Sequence, residues 1–310
     1  MKKISVIVPM YFEEDVVFEC YTRLKSILNT IKNYTYEIIF VDDGSKDKTL
    51  NILKEISSTD FNVKVISFSR NFGHQCAVTA GLQYTTGDAV IILDADLQDP
   101  PELIPNMLLK WEEGYDVIYG KRKIREGESP FKLLSAKLFY QTLNKLSDTE
   151  IPKDTGDFRL VDRKVIDVIN NLPEHNKFLR GLFSWVGYNQ YAYEYERKER
   201  FAGKTKYSLD KMIKLATDGI IGFSKKPLKI TIYLSIILMF LSIILFIYIL
   251  YNIFTKTNLI YLWNLITINL LLFISSIILL AINIQSQYIS RIYDEVIKRP
   301  QYIIKEKINI

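Results

Sequence analysis

The sequence predicts an α/β domain with a mostly parallel sheet, followed by a hairpin of two membrane-spanning helices. In the first half, short Ile/Val-rich segments alternate with helical segments at about thirty residues per unit, which is typical of βα repeats. In the second half, residues 230–255 and 257–290 contain no charged residue. Each window exceeds the roughly 20 apolar residues that cross a bilayer, so we predict spans at about 230–252 and 261–284. A buried helix pair of a soluble protein is the alternative, which the length of the uncharged windows disfavours.

Five segments have the length and apolar content of buried strands, and helices are expected between them. The predicted strands cover residues 4–8, 36–41, 63–68, 89–93 and 116–119. Helices are expected over about 13–33 and 47–57, before residue 86, and after the fourth strand. Pro9 should stop the first strand, and Pro100 and Pro101 should open the helix after the fourth. A later strand at 188–196 carries alternating tyrosines.

The net charge of +5 is concentrated in one stretch of the chain. Residues 196–229 carry ten basic and four acidic side chains, so the remainder is close to neutral. Because this stretch precedes the first predicted span, its charge fits an anionic membrane leaflet or a phosphate ligand better than nucleic acid. Arg291, Lys298 and Arg299 follow the second span. The positive-inside rule then predicts a multi-pass protein of the inner or plasma membrane with both termini cytoplasmic.

The N-terminus, the cysteines and the histidines exclude several classes of site. We expect no cleavable signal sequence, because the first predicted strand follows Met1-Lys2-Lys3 directly. Cys20 and Cys76 have neither metal-binding nor redox spacing, so a reduced cytosolic setting is expected. His74 and His175 have no His or Cys partner at ligand spacing, which predicts that neither binds metal.

Polar clusters follow four of the predicted strands. They are residues 9–13, Asp42 with Asp43, residues 69–75, and residues 94–98. The carboxyl ends of parallel strands share one edge, where ligands bind, so these clusters should line one crevice. Asp94 and Asp96, with Gln98 as a third oxygen donor, could hold Mg²⁺ or Mn²⁺ against a diphosphate. Singly, each cluster also fits a turn or a helix cap.

Two common nucleotide motifs are absent from the sequence. The first strand is followed by Pro9 to Glu13 without the glycines of a dinucleotide-binding turn, and no P-loop pattern is present. A nucleotide diphosphate would therefore reach the protein through a metal on Asp94 and Asp96.

Six motifs follow one another along the chain. They are Val8-Pro9 with Glu13-Glu14, Asp42-Asp43-Gly44-Ser45, Ser69-Arg70-Asn71-Phe72-Gly73-His74-Gln75, Asp94-Ala95-Asp96-Leu97-Gln98-Asp99-Pro100-Pro101-Glu102, Gly156-Asp157-Phe158-Arg159-Leu160, and Glu199-Arg200-Phe201-Ala202-Gly203-Lys204-Thr205-Lys206-Tyr207-Ser208. In this order they resemble the motifs of the family 2 glycosyltransferases with the GT-A (Rossmann-like) fold, and among these the polyprenyl-phosphate group of bactoprenol glucosyltransferases and dolichyl-phosphate mannose synthases. One departure is Phe12, where that family usually has Asn.

The resemblance implies inverting transfer of a hexose from a nucleoside diphosphate sugar, with UDP-glucose favoured, to a polyprenyl phosphate such as undecaprenyl phosphate. It implies a divalent cation, Mg²⁺ or Mn²⁺, contact with the membrane, and a possible homo-oligomer, but no nucleic acid. Asp157 and Asp96 would be catalytic. The implied nucleotide-sugar site comprises Pro9, Tyr11, Glu13, Asp42, Asp43, Ser69, Asn71 and Lys121, and the implied lipid-phosphate site comprises Arg122, Ser135, Arg200 and Lys206.

The chemistry of the implied acceptor bears on the role of Asp157. A phosphate monoester has a second pKa near ~6 and is largely dianionic at neutral pH, so it needs no strong general base. We therefore expect Asp157 to orient or to act electrostatically, and only secondarily to accept a proton; a turn residue that holds Arg159 is the structural alternative. A helix from Pro130 could lie in the headgroup region or pack on the core.

The expected domains are a cytoplasmic GT-A domain at 1–210, an amphipathic juxtamembrane segment at 211–229, the hairpin at 230–285 and a cytoplasmic tail at 286–310. Two other functions remain open. A processive polysaccharide synthase would be expected to carry a Gln-x-x-Arg-Trp motif and more spans. A noncatalytic, membrane-anchored protein for nucleotide-sugar binding or scaffolding would lack the acidic site residues.

Overall fold

The computed structural model describes residues 1–122, 152, 155–174, 177–196 and 260–310. These residues form one sheet with helices on both of its faces. The strands are β1 Lys2–Met10, β2 Tyr34–Asp42, β3 Val63–Phe68, β4 Ala89–Ile92, β5 Val117–Arg122, β6 Thr155–Asp162, β7 Gln190–Tyr195 and β8 Ile304–Ile308. The helices are α1 Val17–Thr30, α2 Thr49–Thr59, α3 His74–Tyr84, α4 Ile104–Glu112, α5 Arg163–Asn171, α6 Leu179–Trp185 and α7 Ile260–Ile297.

The described part of the sheet has the order β7-β5-β6-β4-β1-β2-β3-β8. Strands β1 to β4 are parallel to their neighbours in this group, and β7 is parallel to β5. Strand β6 runs antiparallel between β4 and β5, and β8 runs antiparallel along β3. The α/β class and the mostly parallel sheet are therefore confirmed. The antiparallel β6 was not predicted, and it carries Asp157 within a strand rather than in a turn.

The core explains why the central strands are apolar on both faces. Successive side chains of a strand point to opposite faces. On one face Val6 and Val8 pack in a cluster with residues of α1, α2 and α4, and on the other Ile7 packs with residues of α3, α5 and α6. The sheet is thus buried between two helical layers, so only its ends remain available for a site.

Two boundaries near the N-terminus differ from the prediction. Strand β1 continues through Pro9 to Met10. Proline lacks the amide hydrogen that would bond a neighbouring strand, but β1 pairs with β4 only as far as Ile7, so no hydrogen bond to β4 is lost at Pro9. Helix α1 begins at Val17 rather than near residue 13. The amides of Val16 and Val17 bond the Glu13 carbonyl in a preceding turn.

The segment predicted as a C-terminal tail, residues 286–310, contains regular structure. Helix α7 contains the predicted span 261–284 and continues to Ile297. Strand β8 then pairs with β3, so the last residues belong to the same sheet as β1. Among the described residues, no helix combines the length and the apolar character required to cross a bilayer. The other predicted span, 230–252, and the helix expected from Pro130 lie outside the described residues.

A buried carboxylate joins the amino-terminal ends of the central strands. Glu37 of β2 is 1% exposed and accepts hydrogen bonds from Lys3 Nζ at 2.7 Å, Ser5 Oγ at 2.6 Å and the Thr86 amide at 2.8 Å. Lys64 Nζ lies 2.8 Å from the same carboxylate. Burial alone would raise the pKa of Glu37, but these donors lower the pKa to about 2.

This pKa shift predicts how stability depends on pH. Because the folded-state pKa of Glu37 lies below the ordinary value of 4.5, its contribution is complete above that pH and is lost as pH falls toward about 2. We expect Glu37→Gln to lower the free energy of unfolding at pH 7 by on the order of 2–3 kcal/mol in urea denaturation. The exposed Glu55 of α2 provides a matched control. Equal losses for Glu37→Gln and Glu55→Gln would contradict the assignment.

Candidate active site

Three acidic or imidazole side chains from distant parts of the chain meet at the carboxyl end of β4. Asp94 follows this strand, His74 is the first residue of α3, and Asp157 lies on the neighbouring β6. His74 Nε2 lies 3.1 Å from Asp157 Oδ2 and 3.7 Å from Asp94 Oδ1. One potential ligand atom of each residue falls within 4.8 Å of the others. The expected crevice at the edge of the parallel strands therefore has a defined charged centre.

Arg180 of α6 completes this centre from the opposite side. Its Nε donates to Asp157 Oδ1 at 2.6 Å and its Nη2 donates to Asp157 Oδ2 at 2.9 Å, a bidentate ion pair. The amide of Leu179 bonds Gln75 Oε1 at 3.1 Å, which attaches the start of α6 to α3. No motif or spacing in the sequence singled out Arg180.

The ion pair determines what Asp157 can do. Burial would raise the pKa of Asp157, but the charge of Arg180 and hydrogen bonds from His74 and Arg180 hold that pKa well below its usual range. Asp157 is therefore a fixed carboxylate and a poor proton acceptor. The structural alternative for this residue is met in part: Arg159 Nε donates to the backbone carbonyl of Asp157 at 3.2 Å, but Asp157 lies within β6 and not in a turn.

The other two members of the centre have pKa values shifted upward. Burial opposes a charged His74 ring, but the hydrogen bond to Asp157 and the charges of Asp94 and Asp157 raise the pKa of His74 to about 9. Burial, together with the charges of Asp157, Asp99 and Asp96, raises the pKa of Asp94 to about 6 against the opposing effect of His74. Crowded carboxylates of this kind are stabilised by a cation.

The donor set fits a divalent cation. Asp94 and Asp96 offer carboxylate oxygens, and the imidazole of His74 lies beside Asp94. The sequence analysis considered only His and Cys partners for His74, whereas the structure places two carboxylates, Asp94 and Asp157, beside its ring. Both carboxylate oxygens of Asp157 already accept hydrogen bonds from Arg180. Asp157 is therefore less available to a cation than Asp94, Asp96 or His74.

The loop that carries Asp96 is anchored at its far end. The Gln98 amide bonds Asp96 Oδ1 at 3.1 Å, so the backbone of Gln98 contacts Asp96, and Leu97 has a left-handed φ of 56°. Asp99 is fully buried and accepts a hydrogen bond from the Tyr195 hydroxyl of β7. Arg122 Nη2 of β5 lies 3.6 Å from Asp99 Oδ2. The acidic loop is therefore tied to β5 and β7.

Two of the predicted nucleotide residues, Asp42 and Asp43, build the walls of the crevice. Both are buried. Asp42 accepts from the Ser45 amide at 3.0 Å and the Ser67 hydroxyl at 2.8 Å. Asp43 accepts from the Phe72 and Gly73 amides at 2.7 and 2.9 Å, and burial raises its pKa. Asn71 Nδ2 also bonds Asp43, at 2.8 Å. Asp43 therefore holds the loop between β3 and α3 in place, and Asp42 holds the loop after β2 against β3.

The loop after β1 is held by the loop after β2. The Phe12 amide donates to Ser45 Oγ and the Glu13 amide donates to Thr49 Oγ1, each at 3.0 Å. Tyr11 is half-buried and contacts the Phe12 ring edge-on at 4.5 Å. Phe12 has a φ of 53°, a conformation that Asn tolerates better than Phe, which explains why Asn suits this position.

The remaining predicted site residues are placed less directly. Pro9 is buried in β1. Ser69 is exposed, and its amide donates to the Ile303 carbonyl. Lys121 Nζ forms an ion pair with Glu194 Oε1 at 3.0 Å. The Arg122 guanidinium forms an ion pair with the Asp99 carboxylate. The other lipid-phosphate candidates lie outside the described residues: Ser135, Arg200 and Lys206.

Comparisons with known proteins agree with this geometry. The model of the family described as "Glycosyl transferase family 2" matches residues 5–169. The chain belongs to glycosyltransferase family 2. It is 50% identical over 99% of its length, and 94% of the relative, to an uncharacterized glycosyltransferase, YkcC, of Bacillus subtilis. It is 38% identical over 98% of its length, and 99% of the relative, to a bactoprenol glucosyl transferase of Shigella phage SfX.

Solved structures with a similar fold include a mannosyltransferase of Pyrobaculum calidifontis, PcManGT, in complex with GDP-Man and Mn²⁺. The match covers 71% of this chain and 62% of that chain, with a TM-score of 0.48 and 16% identity.

The Arg180–Asp157 pair predicts a non-additive mutational effect. Arg180→Gln leaves a buried carboxylate without its cation, which typically costs about 3–5 kcal/mol, so we expect a lower unfolding midpoint and a loss of glycosyl transfer of at least about tenfold. Adding Asp157→Asn removes the buried charge and should restore much of the stability but not the activity. Arg23→Gln, which breaks the more exposed Arg23–Glu102 pair, should change stability by less than about 1 kcal/mol. Additive losses in the Arg180/Asp157 double variant would refute the coupling.

Proposed function

We propose that this family 2 glycosyltransferase transfers a hexose from a nucleoside diphosphate sugar, with UDP-glucose as the first candidate, to a polyprenyl phosphate such as undecaprenyl phosphate. The observation that carries the proposal is the meeting of Asp94, His74 and Asp157 at the carboxyl edge of the sheet. Near-full-length similarity to a relative named bactoprenol glucosyl transferase supports the acceptor class. The product would be a polyprenyl-phosphate sugar for cell-envelope glycosylation, formed with inversion.

On the donor side, negative charge accumulates on the diphosphate as the glycosidic bond breaks. Asp94 and Asp96, with His74 beside Asp94, would hold Mg²⁺ or Mn²⁺, which would supply positive charge to the leaving diphosphate. Asp157 keeps His74 oriented toward Asp94, because His74 Nε2 is within 3.1 Å of the Asp157 carboxylate. The protein thus fixes its charges before the reaction, so little reorganisation is needed at the transition state.

On the acceptor side, the low pKa of Asp157 matches the chemistry of a phosphate nucleophile. A phosphate monoester is already ionised at neutral pH, so no proton has to be removed by a strong base. Asp157 therefore serves as a positioning and electrostatic group. Arg122, Arg200 and Lys206 remain candidates for the lipid phosphate, and at Arg122 that phosphate would have to share the guanidinium with Asp99.

The membrane location is part of the same proposal. We place spans at 230–252 and 261–284, with the basic residues 196–229 facing anionic lipid on the cytoplasmic side of the inner or plasma membrane. The pairing of β8 into the sheet that contains β1 supports an even number of spans, since both ends of the chain lie on one side. A homo-oligomer is compatible with this arrangement.

A noncatalytic binding or scaffolding protein is the alternative from another functional class. It would bind a nucleotide sugar without consuming it. A crowded carboxylate centre at the sheet edge has no evident benefit for such a role, because buried like charges oppose folding unless a ligand offsets them.

A transfer assay tests the proposal. Purified protein in membranes with undecaprenyl phosphate is offered a panel of labelled nucleotide sugars, and we expect lipid-linked label with UDP-glucose that excess chelator abolishes. Asp96→Asn should lower turnover by at least about a hundredfold, because it weakens the cation that offsets the leaving charge.

Asp88→Asn is the matched control, since Asp88 is exposed and precedes β4, at the opposite end of that strand from Asp94. It should leave turnover unchanged. Binding of the donor without transfer to any lipid would favour the scaffolding alternative, and near-wild-type transfer by Asp96→Asn would overturn the metal assignment.

A further inference from the structure

The last residues of the chain form a segment, the C-terminal strap (residues 301–309), that covers the edge of the catalytic sheet. Its strand β8 pairs antiparallel with β3, with Val65 opposite Ile308 and Phe68 opposite Ile304. An uncovered edge strand is a site of unwanted pairing, so sealing β3 is one consequence of this arrangement. The strap, however, extends beyond the end of β3.

Beyond β3, the strap contacts the loop between β3 and α3. The Ser69 amide donates to the Ile303 carbonyl at 2.9 Å. The Tyr302 ring stacks on Phe68, with centroids 4.9 Å apart and planes at 14°, and Phe68 contacts Phe72 edge-on at 5.7 Å. An aromatic chain therefore leads from the strap into the middle of this loop.

The same loop supplies the candidate active site. Its Phe72 and Gly73 amides bond the buried Asp43, and the next residue, His74, contacts Asp94 and Asp157. A displacement of Phe72 would therefore move both the wall formed at Asp43 and the imidazole of the charged centre.

We propose that Tyr302 is a positioning residue for the donor site, acting through Phe68 and Phe72 on the loop at 69–73. This inference rests on the proposed function for its substrate, a nucleoside diphosphate sugar. The strap follows α7 directly, so the stack also links that helix to the donor loop. Tyr302 contacts no reacting group itself.

The other end of the strap provides an internal control. Asn309 Nδ2 donates to the carbonyls of Ser57 and Val63 at 2.8 and 2.9 Å, at the start of β3 and far along the strand from the loop. Loss of these bonds should loosen the strap without moving residues 69–73. If the strap had only a structural role, substitutions at Tyr302 and at Asn309 would both lower stability and would affect the donor KM alike.

The test compares Tyr302→Ala, Tyr302→Phe and Asn309→Ala in the full-length protein. Tyr302→Ala should raise the KM for UDP-glucose by about 2- to 10-fold, as expected for the loss of one aromatic stack, while the KM for undecaprenyl phosphate stays within about twofold. Tyr302→Phe keeps the ring and loses only the hydroxyl bond to Gln83, so it should behave as wild type. Asn309→Ala should lower the unfolding midpoint without changing the donor KM.

Amide hydrogen exchange separates this inference from the proposed function, because it needs no substrate. Tyr302→Ala should speed exchange at the Phe72 and Gly73 amides, and Asn309→Ala should not. Unchanged exchange at these amides in Tyr302→Ala, or parallel changes in donor KM for Tyr302→Ala and Asn309→Ala, would overturn the positioning role. If wild type transfers no sugar while exchange responds as expected, the proposed function fails and the action of Tyr302 on the loop stands.

Discussion

The bidentate ion pair between Arg180 and Asp157 is the interaction on which the candidate active site depends. A buried carboxylate is costly unless a cation and hydrogen bonds accompany it. Arg180 provides both, and the ionised Asp157 then fixes His74 at 3.1 Å, next to Asp94. Without Arg180, Asp157 would be driven toward its neutral form and His74 would lose the partner that orients it. One helix, α6, therefore holds Asp157 of β6 in its ionised form, and Asp157 in turn raises the pKa of His74 on α3.

The local charge balance explains why the site suits a diphosphate with a cation. Carboxylates are crowded at the carboxyl end of β4, and Arg122 and Arg180 each pair with one of them, Asp99 and Asp157. Burial raises the pKa of Asp94, and the charges of Asp157, Asp99 and Asp96 raise it further, so negative charge is crowded around this carboxyl. A divalent cation would relieve that crowding and bring positive charge to a leaving diphosphate. The loop that carries Asp94 and Asp96 is tied to β5 and β7 through the contacts of Asp99 with Arg122 and Tyr195.

The sequence was informative where local pattern determines structure. The apolar run before Asp94 predicted a buried strand and placed the acidic pair at its end, and the regular βα alternation predicted the parallel sheet. It was uninformative where distant segments meet. Nothing local reveals that β6 inserts antiparallel beside β4, and this insertion is what brings Asp157 to His74. Arg180 follows Asp157 by 23 residues in sequence, a separation that no periodicity marks.

Side-chain direction was the second limit of the sequence. The carboxylates of Asp42 and Asp43 accept hydrogen bonds from the protein's own backbone amides and from the Ser67 hydroxyl. The sequence did not indicate this second role, in which the same motif residues shape the loops around the crevice. The end of the chain was expected to be a separate tail, because the short alternating stretch of β8 is too brief to predict a strand without knowing that β3 needs a partner.

The most direct test of this account locates the cation. Crystals of the full chain grown with UDP and Mn²⁺ would give an anomalous difference peak for the metal. The account predicts that peak within coordination distance of Asp94 and Asp96, with the Asp157 carboxylate still paired to Arg180. A peak away from both aspartates, or an Asp157 carboxylate released from Arg180 to become the main ligand, would contradict it.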